Sequence, residues 1–280
     1  MPEPTLAPTR TMADGHAIPQ LGLGTWPMDD DEAFASVGDA FRAGYRLVDT
    51  AARYGNEAGV GRAVAASGLP REELFVTTKL AGAQHGRSEA HAGLDESLAR
   101  LRLDYVDLYL IHWPLPAIGK YVETWEALVD LRAQGKARSI GVSNFTPAMV
   151  DEIVERTGVW PAVNQVELHP EFSQSELRAW HDQHGIVTES YSPLGPDTQV
   201  LDNPDIAAVA AAHGRTAAQV ILRWHYQIGA VPIPKSADPT RLRQNLDVFG
   251  FELDGDQMAV LNAINRDNRT GGDPETNVEL

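Results

Sequence analysis

Residues 106–143 read VDLYLIHWPLPAIGKYVETWEALVDLRAQGKARSIGVS. The segment opens on an aliphatic run, VDLYLIH (106–112), and crosses an amphipathic helical pattern, VETWEALVDLRAQG (122–135), that stops at Gly135. It then returns to a second apolar run, ARSIGVS (137–143). Short aliphatic and β-branched runs read as buried strands, and a 3.6-residue apolar period reads as a helix. A strand, a helix and a second strand in succession predict parallel pairing, because antiparallel neighbours need only a short turn.

The same grammar extends outward in both directions. Strands are predicted at RLVDT (46–50), LFVTTKL (74–80), VNQVELH (163–169), GIVTESYS (185–192) and AVPIPK (230–235). With the two runs above these make seven, and an eighth is expected at LDVFGF (246–251). Helices are expected at SEAHAGLDESLARL (88–101), with Ser88 as N-cap, and at NPDIAAVAAAHG (203–214). Eight strand–helix units in about 250 residues suit an α/β (β/α)8 TIM barrel. No linker or change of composition divides residues 1–280, so one domain is expected. Ahead of the repeats, Asp14-Gly15 between alternating flanks predicts an N-terminal β-hairpin that plugs one end of the barrel. After them, DGDQMAVLNAIN (254–265) predicts an extra C-terminal helix, followed by a polar tail.

Composition narrows the chemistry. The chain has no cysteine, which excludes disulfides, thiolate metal sites and thiol nucleophiles. A net charge of −16 argues against nucleic acid and anionic membranes as partners. The apolar runs are too short to span a bilayer, and the start MPEPTLAPTR is not a secretory signal, so a cytoplasmic protein is expected.

In such a barrel the active site forms where strands end and βα loops begin. The polar residues at those ends are Asp49, Lys79, His112, Ser143 with Asn144, Gln165, Tyr191 and Lys235. Alternate strand residues share a face, so His112 points inward with Leu108 and Leu110. Tyr54 follows Asp49 by five residues, in DTAARYGNE (49–57). A tyrosine ordinarily holds its proton to pH ~10. A lysine beside it in a dry site favours the phenolate and lowers that pKa, and an aspartate keeps the lysine charged. The set suits Tyr54 as a general acid for a carbonyl oxygen that is becoming an alkoxide, with His112 aiming the same oxygen.

Taken together, GLGTW (22–26), DTAARYGNE (49–57), TTKL (77–80), LIHWP (110–114), GVSNF (141–145), NQVELHP (164–170), YSPLG (191–195) and IPKS (233–236) resemble the aldo-keto reductase family. The resemblance runs in order from about residue 10 to residue 265. It implies a barrel that binds NADPH without a Rossmann fold and reduces a small-molecule aldehyde or ketone. It further implies a catalytic tetrad of Asp49, Tyr54, Lys79 and His112. Ser143, Asn144 and Gln165 would hold the nicotinamide carboxamide, and Tyr191 would stack on the ring. Gly24, Thr25, Asp49, Ser192 and Leu194 would also border the cofactor. Lys235, Ser236 and Arg241 would hold the adenosine 2′-phosphate, with Gln244 or Asn245 at the adenine. Asp238 or Ser236 would cap a helix whose N-terminal amides favour that phosphate. Trp26 and Trp113, with Tyr54 and His112, would line the substrate pocket, and a monomer is the family expectation.

Each of these residues also has a structural reading. Asp49 with Lys79 can be a plain buried ion pair, Tyr54 a packing aromatic and His112 a core histidine; only their coincidence on one rim favours catalysis. His181 and His184 are read as solvated surface, and Glu189 as an inward carboxyl with a shifted pKa but no catalytic role. Ala81 stands where many family members carry tryptophan, and the tail has no aromatic, so an open pocket is expected. A binding protein that keeps the fold without turnover is the alternative in another class, and an NADPH-oxidation assay separates the two.

Overall fold

The computed structural model describes residues 6–196 and 198–279. Residues 1–5 of the proline-rich start lie outside the described residues. The chain enters through an antiparallel hairpin, β1 (Thr9–Thr11) and β2 (Ala17–Pro19). Eight parallel strands follow: β3 (Gly22–Gly24), β4 (Leu47–Asp49), β5 (Phe75–Leu80), β6 (Val106–Ile111), β7 (Ala137–Ser143), β8 (Val163–Glu167), β9 (Val187–Tyr191) and β10 (Val231–Pro232). Each pairs with its neighbour in sequence order, and the Gly24 amide donates to the Pro234 carbonyl at 3.3 Å to bring the last strand against the first.

Helices cover the outside. α1 (Asp30–Ala43), α2 (Glu57–Ala66), α3 (Arg87–Leu101), α4 (Tyr121–Ala133), α5 (Pro147–Thr157) and α6 (Ser175–Gln183) connect successive strands. Two helices, α7 (Pro204–His213) and α8 (Ala217–Gln227), lie between β9 and β10, and α9 (Pro239–Leu246) and α10 (Gly255–Asn262) follow. Side-chain oxygens of Asp29, Thr146, Asn203, Thr216, Asp238 and Asp254 cap α1, α5, α7, α8, α9 and α10. Each satisfies amide donors that an uncapped helix start leaves open.

The inner core is made of Leu47, Leu108, Leu110, Val163, Val187 and Val231. Met12 and Ile18 from the hairpin join this same cluster, so the hairpin does close the barrel's lower end. The expected alternation on β6 is met: Leu108 and Leu110 fill the interior while Tyr109 and Ile111 pack outward under the helices.

Three expectations are corrected. LDVFGF forms no strand: Leu246 ends α9 and the rest is turns. The eighth strand is instead β3, whose Gly-Leu-Gly lacks any strand pattern because tertiary crowding selects its glycines. A Cβ on Gly22 would stand 2.5 Å from Leu47 Cγ, and one on Gly24 2.7 Å from the Ile233 carbonyl oxygen. Ser88 does not cap α3; Gly86 does so at φ 126° without a side chain, and Ser88 Oγ turns to Glu89. His181 is buried rather than solvated, between Asn164 at 3.0 Å and Thr188 at 2.9 Å. Burial lowers its pKa to about 4. His184 instead stacks on Trp160 and Trp180.

Candidate active site

Asp49 closes β4, and the loop after it is fastened by a residue the sequence reading passed over. The buried Asn56 amide accepts from Thr50 Oγ1 at 2.6 Å and donates to the Thr25 and Met28 carbonyls at 3.2 and 2.9 Å. Between Thr50 and Asn56 the chain makes one 3-10 turn, Ala52–Tyr54, which ends at Gly55 with φ 69°. That turn delivers the Tyr54 ring to the barrel mouth.

Lys79, fully buried on β5, reaches up beneath it. Its Nζ lies 2.5 Å from Asp49 Oδ1, 3.0 Å from the Thr50 carbonyl and 3.4 Å from Tyr54 Oη. Three donors thus meet three oxygens. Burial works against the Lys79 charge, but the Asp49 carboxylate outweighs it and holds the ammonium's pKa above its ordinary value. His112 follows β6, its ring 5.6 Å from that of Tyr54 and edge-on to it. Burial, reinforced by Lys79 and Arg53, pushes its pKa well below the ordinary histidine value, so the imidazole is neutral at pH 7.

The Tyr54 pKa departs from expectation. Burial raises it above the ordinary phenol value, and the opposing pull of Lys79 is too weak to reverse that. The lysine acts in the expected direction, but much of its field is spent on Asp49, which itself pushes the phenol upward.

A cavity of about 870 Å³ opens above these groups. Gly24, Thr25, Trp26, Asp49, Tyr54, His112, Trp113, Ser143, Asn144, Gln165, Tyr191, Ser192, Leu194 and Lys235 all line it. Ser143 and Asn144 sit at the end of β7, where Ser143 Oγ donates to the Gln165 carbonyl at 2.8 Å. Asn144 adopts φ 63° and accepts from Tyr191 Oη at 3.0 Å. Gln165 Nε2 donates to Asp49 Oδ2 at 2.8 Å and to Glu189 Oε2 at 2.7 Å. Ser236, Arg241, Gln244 and Asn245 lie beyond Lys235, on or just before α9, and do not line this cavity.

At that end Lys235 and Arg241 each face an acid. Lys235 Nζ is 3.3 Å from Glu32, and Arg241 is 3.8 Å from Asp238. Of the two expected caps, Asp238 is the one used: it accepts from the Thr240 and Arg241 amides, so two N-terminal amides of α9 are already engaged.

The tail after α10 is not loose. The Glu167 carboxylate, at the end of β8, accepts from Thr270 N, Thr270 Oγ1 and Gly271 N, each at 2.7 Å. Burial opposes its charge, but the bonds from His169, Thr270 and Gly271 outweigh it and bring its pKa down to about 2. Glu171 similarly holds Arg266 and Asn268. Gly271, Gly272 and Glu279 thereby become part of the cavity wall, and Glu279 meets Arg53 at 2.5 Å. Strand alternation already places Glu167 inward with Gln165, which is the signal that was available for this contact.

Comparison with known proteins shows the family. Residues 20–266 match the model of the Aldo/keto reductase family. The chain is 50% identical over 273 residues to 2,5-diketo-D-gluconic acid reductase B of Corynebacterium sp. (strain SHS752001), covering 98% of this chain and 99% of that one. It is 53% identical over 269 residues to an aldo-keto reductase of Mycolicibacterium vanbaalenii, covering 96% of each. The crystal structure of a Gox0644 mutant in complex with NADPH superposes with a TM-score of 0.93 at 47% identity, over 98% of this chain and 99% of that one. The chain therefore belongs to the aldo/keto reductase family.

Proposed function

We propose that the protein is an NADPH-dependent carbonyl reductase in which Tyr54 is the general acid. The observation that carries this reading is the position of the Tyr54 hydroxyl, at the cavity wall and 3.4 Å from the Lys79 ammonium, which Asp49 pins from behind.

The residues present fit a dihydronicotinamide dinucleotide. Gly24 and Thr25 line the cavity, Gln165 offers its amide oxygen, and Tyr191 offers a half-buried ring. Lys235 also lines the cleft, with Ser236 and Arg241 following it in the chain. Ser143, Asn144 and Gln165 are the proposed holders of the carboxamide, and Lys235, Ser236 and Arg241 of the 2′-phosphate, with Gln244 or Asn245 at the adenine. When bound, the reduced nicotinamide supplies a hydride to the substrate carbon.

The chain's own residues handle the oxygen. His112, neutral at pH 7, donates an N–H to the carbonyl and orients it between Trp26 and Trp113. Tyr54, protonated at pH 7, gives its proton to that oxygen as negative charge develops there. Lys79 then stabilises the phenolate, which water reprotonates. The high pKa of the phenol matches the alkoxide it must neutralise, and the ammonium acts on charge that exists only as the reaction proceeds.

The name of the Corynebacterium relative makes dicarbonyls and keto sugar acids the first substrates to assay, beside simple aldehydes. A single-domain, monomeric, cytoplasmic enzyme is part of the same proposal, and size-exclusion chromatography tests the monomer. The deciding experiment is Tyr54→Phe. NADPH binding, read by quenching of tryptophan fluorescence, is expected to persist while turnover falls by at least about a thousandfold. Retained turnover rejects Tyr54 as the acid.

A further inference from the structure

One buried carboxyl in the barrel has no part in the scheme above. Glu189 faces inward on β9, directly paired in register with Gln165 on β8, and neither is more than 2% exposed. Its Oε2 accepts from Gln165 Nε2 at 2.7 Å, while its Oε1 is buried without a partner among the described residues. Burial, reinforced by the Asp49 charge, raises its pKa to about 8, so the group is mostly uncharged at pH 7. An internal acid that leaves one oxygen unsatisfied is a cost to the fold, and such groups call for an explanation.

The explanation lies in which way Gln165 points. Its amide nitrogen sits between two carboxyl oxygens, Asp49 Oδ2 at 2.8 Å and Glu189 Oε2 at 2.7 Å. Only an NH2 group can donate to both. Were the amide turned over, its oxygen would lie 2.8 Å from the Asp49 carboxylate, which can only accept. Gln165 Oε1 has no donor among the described residues and is left to the cavity that Gln165 lines. With Asp49 also committed to Lys79, Glu189 supplies the second contact that stops the amide from swinging about its terminal torsion.

We propose that Glu189 is a positioning residue for cofactor recognition: it locks the Gln165 amide so that a carbonyl oxygen faces the cleft and accepts an N–H from the nicotinamide carboxamide. This rests on the reading that Gln165 meets the carboxamide. It also predicts a preference. A dinucleotide whose carboxamide is replaced by an acetyl group has no N–H to give, and loses the benefit of the lock.

The test measures, by tryptophan fluorescence, the dissociation constants of NADPH and of its 3-acetylpyridine analogue for wild type, Glu189→Leu and Glu189→Gln. Wild type is expected to prefer NADPH. Glu189→Leu, which removes the acceptor, should weaken NADPH about tenfold and the analogue less than about twofold. Glu189→Gln, which restores an acceptor oxygen, should recover the preference; a Glu189→Met variant repeats the removal with a more adaptable chain should the leucine variant fold poorly. Equal weakening of both dinucleotides, or of neither, overturns the role assigned to Glu189. A wild type that does not discriminate between them overturns the carboxamide reading of Gln165 as well, so the two failures are told apart by the protein in which they occur.

Discussion

At the scale of single residues, the site depends on polar groups whose hydrogen bonds are nearly all made inside the protein. Asn56 is the clearest case, since it ties Thr50, Thr25 and Met28 and so holds the turn that carries Tyr54. Asn56→Ala leaves buried partners unsatisfied and should cost about 2–4 kcal/mol of stability, with kcat falling more than the cofactor's Kd rises. Urea unfolding and steady-state kinetics on the same preparation check both parts. Arg241 is exposed and paired only at 3.8 Å with Asp238, so it is available to a phosphate. Arg241→Ala is expected to weaken NADPH about ten- to a hundredfold and to leave NADH within about twofold. Unchanged preference between the two would remove Arg241 from the phosphate site. The grouping of Asp49, Tyr54, Lys79 and His112 was legible because the four stand at or shortly past the ends of three strands. The upward shift of the Tyr54 pKa was not, because desolvation depends on atoms from every neighbouring loop.

Among elements, β3 has the least sequence signal and the tightest packing. Its three residues show no alternation, yet Leu47 and the Ile233 carbonyl press into the space where side chains on Gly22 and Gly24 would go. Gly24→Ala pushes a methyl into a backbone carbonyl that a rotamer change cannot move aside, and the ring is held there by the 3.3 Å bond from Gly24 to Pro234. A loss of about 1–3 kcal/mol is expected, with weakened cofactor binding because Gly24 and Lys235 share one wall. Thermal unfolding and NADPH titration of the variant test this. β10 is short for a related reason: Pro232 and Pro234 have no N–H to give to the ladder. The tail shows the opposite case. Its polar composition suggests solvent, but it is held by Glu167 and Glu171, acids far away in the chain.

For the whole molecule, buried ionisable groups set the dependence of stability on pH. Burial lowers His181 to about 4, His225 to about 3 and His85 to about 4. In the unfolded chain each binds its proton near pH 6.5, so as pH falls below that value the unfolded state takes up more protons and stability is lost. Glu189 acts in the other direction. Its pKa rises from 4.5 to about 8 on folding, so the contribution it makes below pH 4.5 is lost as pH rises toward 8. The melting temperature should therefore peak near pH ~6.5 and decline on both sides. In Glu189→Gln the alkaline decline should be reduced, and the rise on the acid side should steepen between pH 4.5 and the maximum. Calorimetry of both proteins from pH 3 to pH 9 checks this, and an unaltered alkaline limb would reject the assignment to Glu189.

Local pattern determined much of this protein. Strand–helix alternation specified a parallel barrel, Asp14-Gly15 specified its hairpin, and parity along the strands turned His112 and Glu189 inward. These properties depend on spacing within a few residues, so they can be read without knowing the partners. The tertiary structure alone decided which segment became the eighth strand, that His181 is buried, that Glu167 captures the tail, and how burial and Lys79 divide control of Tyr54. Each of these turns on contacts between residues distant in the chain, where desolvation and close packing outweigh local preference.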